Sequence, residues 1–397
     1  MEFTIGRDTF LKSLGHTNGI IEKKTTLPIL SNILIEVKDS KIKITATDLD
    51  LIYFEKILPK EVKKEGSTTT SASILYDILR KLQPGANVEL NLLSTNRLKL
   101  VSGNSKFNLL CTPSDNFPLS EEDIDQKKFA VSPQKLLKLL NKAKISISND
   151  ATRHYLNGIY LHKIKLENKS FLCGVSTDSH RLSSSSLEID PNTHIESVIL
   201  PKKAIFQLIS LLEQSNNPIK ISNTKSKIKF EIDTGVLISK VIDGRFPDYN
   251  KVIPKDNDKI LEIKLNEFKN SIERVTTVSS DRKEGLKMSI SKNSVQLSVN
   301  NPNSGEGVEN INAKFNSSDL NISFNSRYLI DITPHIENEL IIINLKDPGS
   351  PVLIRDFSDK NSFHVVMPMK IWFVMCKGNI KLFFFFSLIN RLIPTII

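Results

Sequence analysis

The chain has 397 residues, 39% hydrophobic and 25% charged, which excludes a disordered polyelectrolyte and a protein built mainly of membrane spans. At that length one hydrophobic core is not enough, and two or three domains are expected. The formal charge of +10 is unevenly placed. Residues 1–125 hold 16 basic against 17 acidic side chains, residues 126–253 hold 20 against 11, and residues 254–371 hold 15 against 16. A basic middle segment between near-neutral neighbours points to a polyanion met on a limited surface rather than a coat of positive charge.

Cys111, Cys173 and Cys376 stand far apart with no C-x-x-C spacing, so neither a zinc site nor a disulfide framework is expected. Met1 leads straight into Glu2-Phe3-Thr4-Ile5, without the basic start and apolar run of a signal peptide. A reducing cytoplasm is the expected setting.

In chain order, a pattern recurs at a period near 125 residues. Each unit opens with an amphipathic helix, at Arg7 to Leu14, Pro133 to Lys144 and Leu265 to Val275; in the second, Leu136, Leu137, Leu140 and Ala143 fall at helical spacing. A pair of alternating strands follows: Ile33 to Val37 with Ile42 to Ala46, Gly158 to His162 with Phe171 to Ser176, and Leu286 to Ser291 with Val295 to Val299. A short extended run then precedes a second helix, expected at Ser73 to Leu82, Lys202 to Leu212 and Ser326 to His335. Three more strands close each unit, for example Val88 to Leu92, Leu98 to Val101 and Phe107 to Cys111 in the first. The first two units share a Phe-Pro exit, at Phe117-Pro118 and Phe246-Pro247, which puts linkers at about 119–128 and 248–258. The expected fold class is α+β, with helices covering one face of antiparallel sheets. The expected domains are 1–125, 126–253 and 254–371, followed by a hydrophobic extension over 372–397.

Several segments occur in a fixed order: Thr26-Leu27-Pro28-Ile29-Leu30, Thr47-Asp48-Leu49-Asp50, Arg153-His154-Tyr155-Leu156-Asn157-Gly158, Thr177-Asp178-Ser179-His180-Arg181-Leu182, Asp243 through Tyr249, and Val365-Val366-Met367-Pro368-Met369. In these, over residues 1–371, the chain resembles the beta subunit of bacterial DNA polymerase III, the sliding-clamp family. The resemblance implies three similar clamp domains per chain and a ring-shaped head-to-tail homodimer. Helices would line a central hole, with sheets outside. It also implies a processivity factor with no catalytic site and no cofactor. Its partners would be double-stranded DNA bound without regard to sequence, the polymerase III catalytic subunit, the clamp loader, other polymerases and mismatch-repair proteins, the proteins docking through short linear peptides.

Lys12, Lys24, Arg80, Lys81, Lys138, Lys142, Lys203, Lys269 and Arg274 lie on or next to the expected helices and are the candidate DNA contacts. Tyr155 joins them through the resemblance. Ser73 stands where the family tends to be basic. The resemblance also implies a peptide pocket lined by Tyr155, Leu156, Thr177, Ser179, His180, Arg181, Leu182, Pro247, Val252, Asn325, Tyr328, Val365, Met367, Pro368 and Met369, with Ser179 in place of the usual Gly. Met and Pro walls suit several related peptides, because a thioether chain repacks. At the ring seam, Phe107 and Leu109 of one chain would meet Thr277 and Val278 of another; Thr277 is less apolar than the family norm.

The competing readings are a monomeric nucleic-acid-binding scaffold and a nucleic-acid enzyme. The sequence holds no H-E-x-x-H, G-x-S-x-G or Walker-type glycine loop, and no metal site is expected. The apolar run Leu382 to Ile389 is too short to span a bilayer, so no membrane contact is expected; disorder, aggregation and obstruction of the adjoining pocket are the expectations for the extension.

Overall fold

The computed structural model describes residues 1–22, 26–119, 124, 127–279 and 285–369, and the backbone of 371–376 and 379–384. Lys24 and most of the first expected linker lie outside the described residues.

The first repeat runs β1 (Glu2–Gly6), α1 (Arg7–Thr17), β2 (Asn32–Lys38), β3 (Lys41–Thr47), β4 (Leu51–Ile57), β5 (Glu61–Lys64), β6 (Gly66–Ser71), α2 (Ala72–Lys81), β7 (Asn87–Ser94), β8 (Arg97–Ser102) and β9 (Ser105–Thr112). The second runs β10 (Phe129–Val131), α3 (Pro133–Ala143), β11 (Gly158–Leu166), β12 (Lys169–Thr177), β13 (Arg181–Ile189), β14 (Val198–Pro201), α4 (Lys202–Leu212), β15 (Ile219–Asn223), β16 (Lys227–Ile232) and β17 (Gly235–Lys240). The third runs β18 (Lys259–Lys264), α5 (Leu265–Val275), β19 (Gly285–Ser291), β20 (Ser294–Asn301), β21 (Gly305–Phe315), β22 (Leu320–Asn325), α6 (Ser326–Ile332), β23 (Leu340–Leu345), β24 (Val352–Asp356) and β25 (Ser362–Val366). Beyond it, β26 (Ile371–Cys376) pairs antiparallel with β27 (Asn379–Phe384).

The helices form for local reasons. On α5, Phe268, Ser271, Ile272 and Val275 recur at helical spacing and are buried. Ser71 caps α2 by accepting from Ile74 N, and Arg80 and Lys81 stand at its C-terminal end, where the carbonyl dipoles favour cations. The sequence pattern carries α6 on to His335, but the α-helix stops at Ile332 and a 3-10 turn covers Thr333–His335. Pro334 has no N–H to donate and disfavours helical geometry at the residue before it.

The strands alternate as half-buried sheet requires; in β8, Leu98, Leu100 and Ser102 are buried and the residues between them are not. The fold also contains strands that the pattern alone leaves out, at equivalent places in each repeat. One precedes the first helix, at β1, β10 and β18; another lies at β4, β13 and β21.

The chain divides into two compact units. The first comprises Met1–Leu140, Arg153–Cys173 and Leu187–Gly244; the second comprises Asn141–Thr152, Gly174–Ser186 and the chain from Arg245 onward. In the first unit, thirteen strands form one sheet in the order β10-β15-β16-β17-β4-β3-β2-β6-β9-β8-β7-β1-β5. Strand β17 of the second repeat pairs β4 of the first, from Gly235 opposite Glu55 to Ser239 opposite Leu51. In the second unit, β13 pairs β25 and the order continues β24-β23-β18-β21-β20-β19-β22. That unit's core packs Phe268, Ile272, Phe315, Phe324 and Leu329 among strand residues such as Ile263, Leu286, Ile343 and Ile354.

A buried polar cluster sits in the first unit beneath α1. Glu55 Oε2 accepts from Ser13 Oγ and from His16 Nδ1, each at 2.9 Å, and from the Tyr53 hydroxyl at 3.2 Å. Thr234 of the second repeat donates to Glu55 Oε1 at 3.2 Å, and His16 Nε2 meets Gln214 Oε1 at 3.2 Å. Burial alone would lower the His16 pKa, but the bond to Glu55 and its charge outweigh burial and raise it. Burial would likewise raise the Glu55 pKa, and its partners, His16 first, hold it below the usual carboxylate value.

Candidate functional site

Two turns show the repeat at atomic scale. In the first, Leu49 N donates to Thr47 Oγ1 at 3.0 Å, while Asp50 N and Leu51 N donate to Asp48 Oδ1 at 3.0 and 2.7 Å. In the second, Ser179 N donates to Thr177 Oγ1 at 3.1 Å, while His180 N and Arg181 N donate to Asp178 Oδ1 at 2.9 and 3.0 Å. Each turn places its third residue in the left-handed region, Leu49 at φ 80° and Ser179 at φ 77°. Glycine would hold that conformation without strain; a residue with a Cβ holds it only because the Thr and Asp side chains fix the turn.

The second turn, in the second unit, anchors a compact group of the residues expected to line a peptide pocket. Arg181 reaches Asp178 Oδ2 through Nε at 3.0 Å and Asp331 Oδ2 through Nη1 at 2.7 Å, and its guanidinium lies 4.4 Å from the centroid of the Tyr328 ring. Burial, followed by the Asp178 charge, raises the Tyr328 pKa. Met367 N donates to His180 O at 2.9 Å and Met369 N to Ser323 O at 2.7 Å, so backbone bonds hold the Met-Pro-Met segment beside the turn. Thr177, Arg181, Tyr328, Met367, Pro368 and Met369 are half-buried, while Ser179, His180, Pro247 and Val252 are exposed. Leu182 and Val365 are paired across β13 and β25 and buried. Asn325 is buried too and caps α6 by accepting from Arg327 N, so it shapes the backbone rather than offering a free amide. Tyr155, half-buried, and Leu156, buried, belong to the first unit. There the positive φ of Gly244, +140°, brings its backbone against Tyr155, where an added Cβ would meet the Tyr155 Cβ at 3.0 Å.

The candidate cations divide into distinct classes. Lys12, Arg80, Lys81 and Lys138 are exposed on α1, α2 and α3. Lys269 is half-buried on α5. Arg274 is exposed but forms a two-pronged bridge to Glu309, at 2.5 and 3.0 Å, which offsets much of its charge. Lys203 donates to Ile20 O at 2.9 Å and bridges Glu22 at 3.3 Å as well as Asp48, so its ammonium is committed inside the first unit.

Lys142 contradicts its expected role. Its side chain is 3% exposed, bridges Asp359 at 2.7 Å and Glu337 at 3.3 Å, and donates to Ser362 Oγ at 3.4 Å. A lysine this deep satisfies buried carboxylates and has no surface to offer a phosphate. The helical spacing that selected it places positions 138 and 142 on adjoining turns, and the burial boundary of α3 falls between them.

The seam candidates lie where an edge is open. Strand β9 pairs β8 along its length, but on its other side it pairs β6 only at Cys111 and Thr112. Phe107 is half-buried and Leu109 buried on one face; Leu110, on the other, is 80% exposed and was missed by sequence reasoning. In the second unit Thr277 is exposed, and half-buried Val278 packs on the core. Asp331 and Glu309, which fix Arg181 and Arg274, were also missed; neither has a sequence signal beyond its charge. Among the described residues no group of three or more His, Cys, Asp and Glu is placed to hold a metal, and no helix is long and apolar enough to cross a membrane.

Comparison with known proteins agrees along almost the whole chain. Family models for the N-terminal, central and C-terminal domains of the DNA polymerase III beta subunit match residues 1–121, 130–248 and 250–370. The beta sliding clamp of Caulobacter vibrioides is 35% identical over 373 residues, covering 94% of this chain and all of the relative. That of Escherichia coli K12 is 30% identical over 371 residues, with the same coverage. Among solved structures, the Caulobacter crescentus beta sliding clamp superposes with a TM-score of 0.90 at 35% identity, covering 93% of this chain and 99% of the other. A sliding clamp from Bartonella birtlesii bound to griselimycin gives 0.90 at 37% identity, with the same coverage. Three matched domains in order, on a fold that repeats its turns, establish that the chain belongs to the family of bacterial DNA polymerase III beta subunits, the beta sliding clamps.

Proposed function

We propose that two copies of this chain close head to tail into a ring around duplex DNA and tether the replicative polymerase to it. The observation that carries the reading is the repetition of one two-helix unit three times in a chain that covers its clamp relatives end to end. Exposed Lys12, Arg80, Lys81 and Lys138 suit sequence-independent attraction to phosphates, which screens and slides instead of gripping. Lys269 and Arg274 contribute less, being half-buried and ion-paired. The open edge of β9, with Phe107, Leu109 and Leu110, is the surface on which a second chain's Thr277 and Val278 end would dock.

The group around Arg181, Tyr328 and Met367 is the proposed receptor for short peptides of the polymerase, clamp loader and repair proteins. Rigid Arg181 beside a repacking Met wall would let one receptor take several peptides in turn. The protein acts as a processivity factor, without catalysis of its own, and we infer an association with the nucleoid during replication.

The test is topological. Loaded by a clamp loader onto nicked circular DNA, the protein should co-elute with the circle and be lost once a restriction enzyme linearises it. Retention on the linear product would replace the ring with a groove binder, and a solution mass of one chain at micromolar concentration would do the same.

A further inference from the structure

The buried cluster beneath α1 joins the first repeat to the second, and His16 stands at its centre. Side chains of the second repeat meet it from several directions. Gln207, buried on α4, donates through Nε2 to the His16 carbonyl at 2.5 Å. Gln214, just past the end of α4, presents Oε1 to His16 Nε2 at 3.2 Å. Thr234, between β16 and β17, donates to Glu55 Oε1, on the carboxylate whose other oxygen faces His16 Nδ1. Glu55 thus takes hydroxyls from Ser13, Tyr53 and Thr234 besides the imidazole, a set of donors that suits an ionised carboxylate, which can only accept. Both ring nitrogens of His16 face oxygen. An imidazole that donates from Nδ1 to a carboxylate and from Nε2 to an amide oxygen must carry both protons.

We propose that doubly protonated His16 is a pH-sensitive clasp between the first two repeats, closed while both ring nitrogens donate and released when Nε2 gives up its proton. Once that proton leaves, the Nε2 lone pair faces the lone pairs of Gln214 Oε1, and the exposed Gln214 side chain turns away to water. The groups about the ring set how firmly the proton is held. Burial and the Lys12 charge, one turn earlier on α1, oppose it; Glu55 on β4 and the bond to Gln214 outweigh them. Tyr53, also on β4, is pushed up first by burial and then by Glu55 and Asp233, so it stays a neutral hydroxyl. On β3, Lys43 lies over Phe54, on the sheet face opposite Glu55, and Tyr76 of α2 lies beside Gly15. The clasp is therefore complete below pH 6.5 and is lost as pH rises through the folded value. The β17–β4 ladder is backbone and does not titrate, so the joint keeps its register while its stiffness follows pH near neutrality, where histidine works as a switch.

Two measurements on the full chain test this. In 15N-histidine spectra, with His16 assigned by its loss in H16N, both ring nitrogens should carry protons at pH 6, and Nε2 should lose its proton on the way to pH 8.5. Gln214→Leu, a surface change in the second repeat, should move that midpoint to lower pH. Hydrogen exchange reads the joint itself. The Lys56 and Lys240 amides bond Thr234 O at 3.2 Å and Asp50 O at 2.8 Å across it. With intrinsic rates divided out, their protection should fall by about tenfold from pH 6 to pH 8.5, the worth of one hydrogen bond to a charged group. In H16N it should stay level. A neutral ring at pH 6, a midpoint indifferent to Q214L, or protection that is level in the parent or falls equally in H16N would overturn the proposal. Q214L should melt below the parent at pH 6 and together with it at pH 8.5; the same deficit at both would reduce Gln214 to a folding contact and remove the clasp.

Discussion

Replacing Lys142 by Met keeps the length and apolar stem of the side chain and removes only the ammonium. The group left behind is defined. Asp356, 3.9 Å from the lysine, retains bonds from Glu337 N at 2.7 Å and from Ser358 N and Oγ at 2.9 and 2.6 Å. Asp359, with its side chain 7% exposed, would keep the bond from Asn361 N at 3.0 Å but lose its charged partner at 2.7 Å. Stranding one member of a buried pair costs roughly 3–5 kcal/mol. An ordinary aspartate with a pKa near 3.9 can escape by taking up a proton, which caps the loss at about 4 kcal/mol at pH 7 and about 1.5 kcal/mol at pH 5. For a unit of this size the pH 7 loss corresponds to a fall of roughly 8–16 °C in melting temperature. Thermal and urea melts of K142M at both pH values, beside D359L and the double variant, measure this. The expected pattern is a large loss at pH 7, a smaller one at pH 5, and recovery of most of it when both partners become apolar. A loss under about 1 kcal/mol at pH 7, or a double variant no better than K142M, would refute the reasoning.

Ser179 sits at φ 77°, a conformation that glycine holds without strain, so Ser179→Gly should stabilise the protein by about 1 kcal/mol; a lower melting temperature would count against the strain argument. The raised pKa of His16 means that the His16–Glu55 pair contributes fully below the unfolded value of 6.5 and is lost as pH rises through the folded value, so the melting-temperature gap between the parent and H16N should narrow from pH 6 to pH 8.5. A gap constant across that range would show that His16 acts through packing alone. Ending the chain at Ile371 should raise affinity for a clamp-binding peptide and reduce aggregation, since the extension leaves the chain directly after Met369; unchanged peptide affinity, measured by fluorescence anisotropy, would dismiss obstruction of the receptor.

Much of the architecture was legible because it rests on short-range periodicity. The range Leu265 to Val275 and the range Lys202 to Leu212 match α5 and α4 at both ends, since their apolar residues recur at 3.6 and little else competes. The strands left out fail that test for identifiable reasons. In β13, Arg181–Ile189, four consecutive serines read as loop, yet Ser183, Ser184 and Ser185 are buried, with Ser183 bonded to Ser146 at 2.7 Å and to His364 at 2.9 Å. Strand β21, Gly305–Phe315, is polar along much of its length, and its Gly307 lies so near α5 that an added Cβ would meet Val275 O at 2.6 Å. Both are long-range facts that local pattern cannot hold. The same limit governed the cations: periodicity put Lys138, Lys142 and Lys203 on helices correctly, but only distant carboxylates reveal that Lys142 and Lys203 are spoken for.

The register between β17 and β4 fuses what the sequence repeats. Each unit of the repeat is the right length to stand alone, but excising the first would leave β4 paired only with β3, open its other edge from Leu51 to Glu55 and uncover Ile52 and Phe54, which now pack with Ile238. The first two repeats therefore form a single mechanical girder, in which tension entering one repeat is borne as hydrogen-bond shear by the next. Any opening of the assembly must therefore be sought at a joint without such a weld, and shuffling or circularly permuting the first two modules should yield insoluble protein.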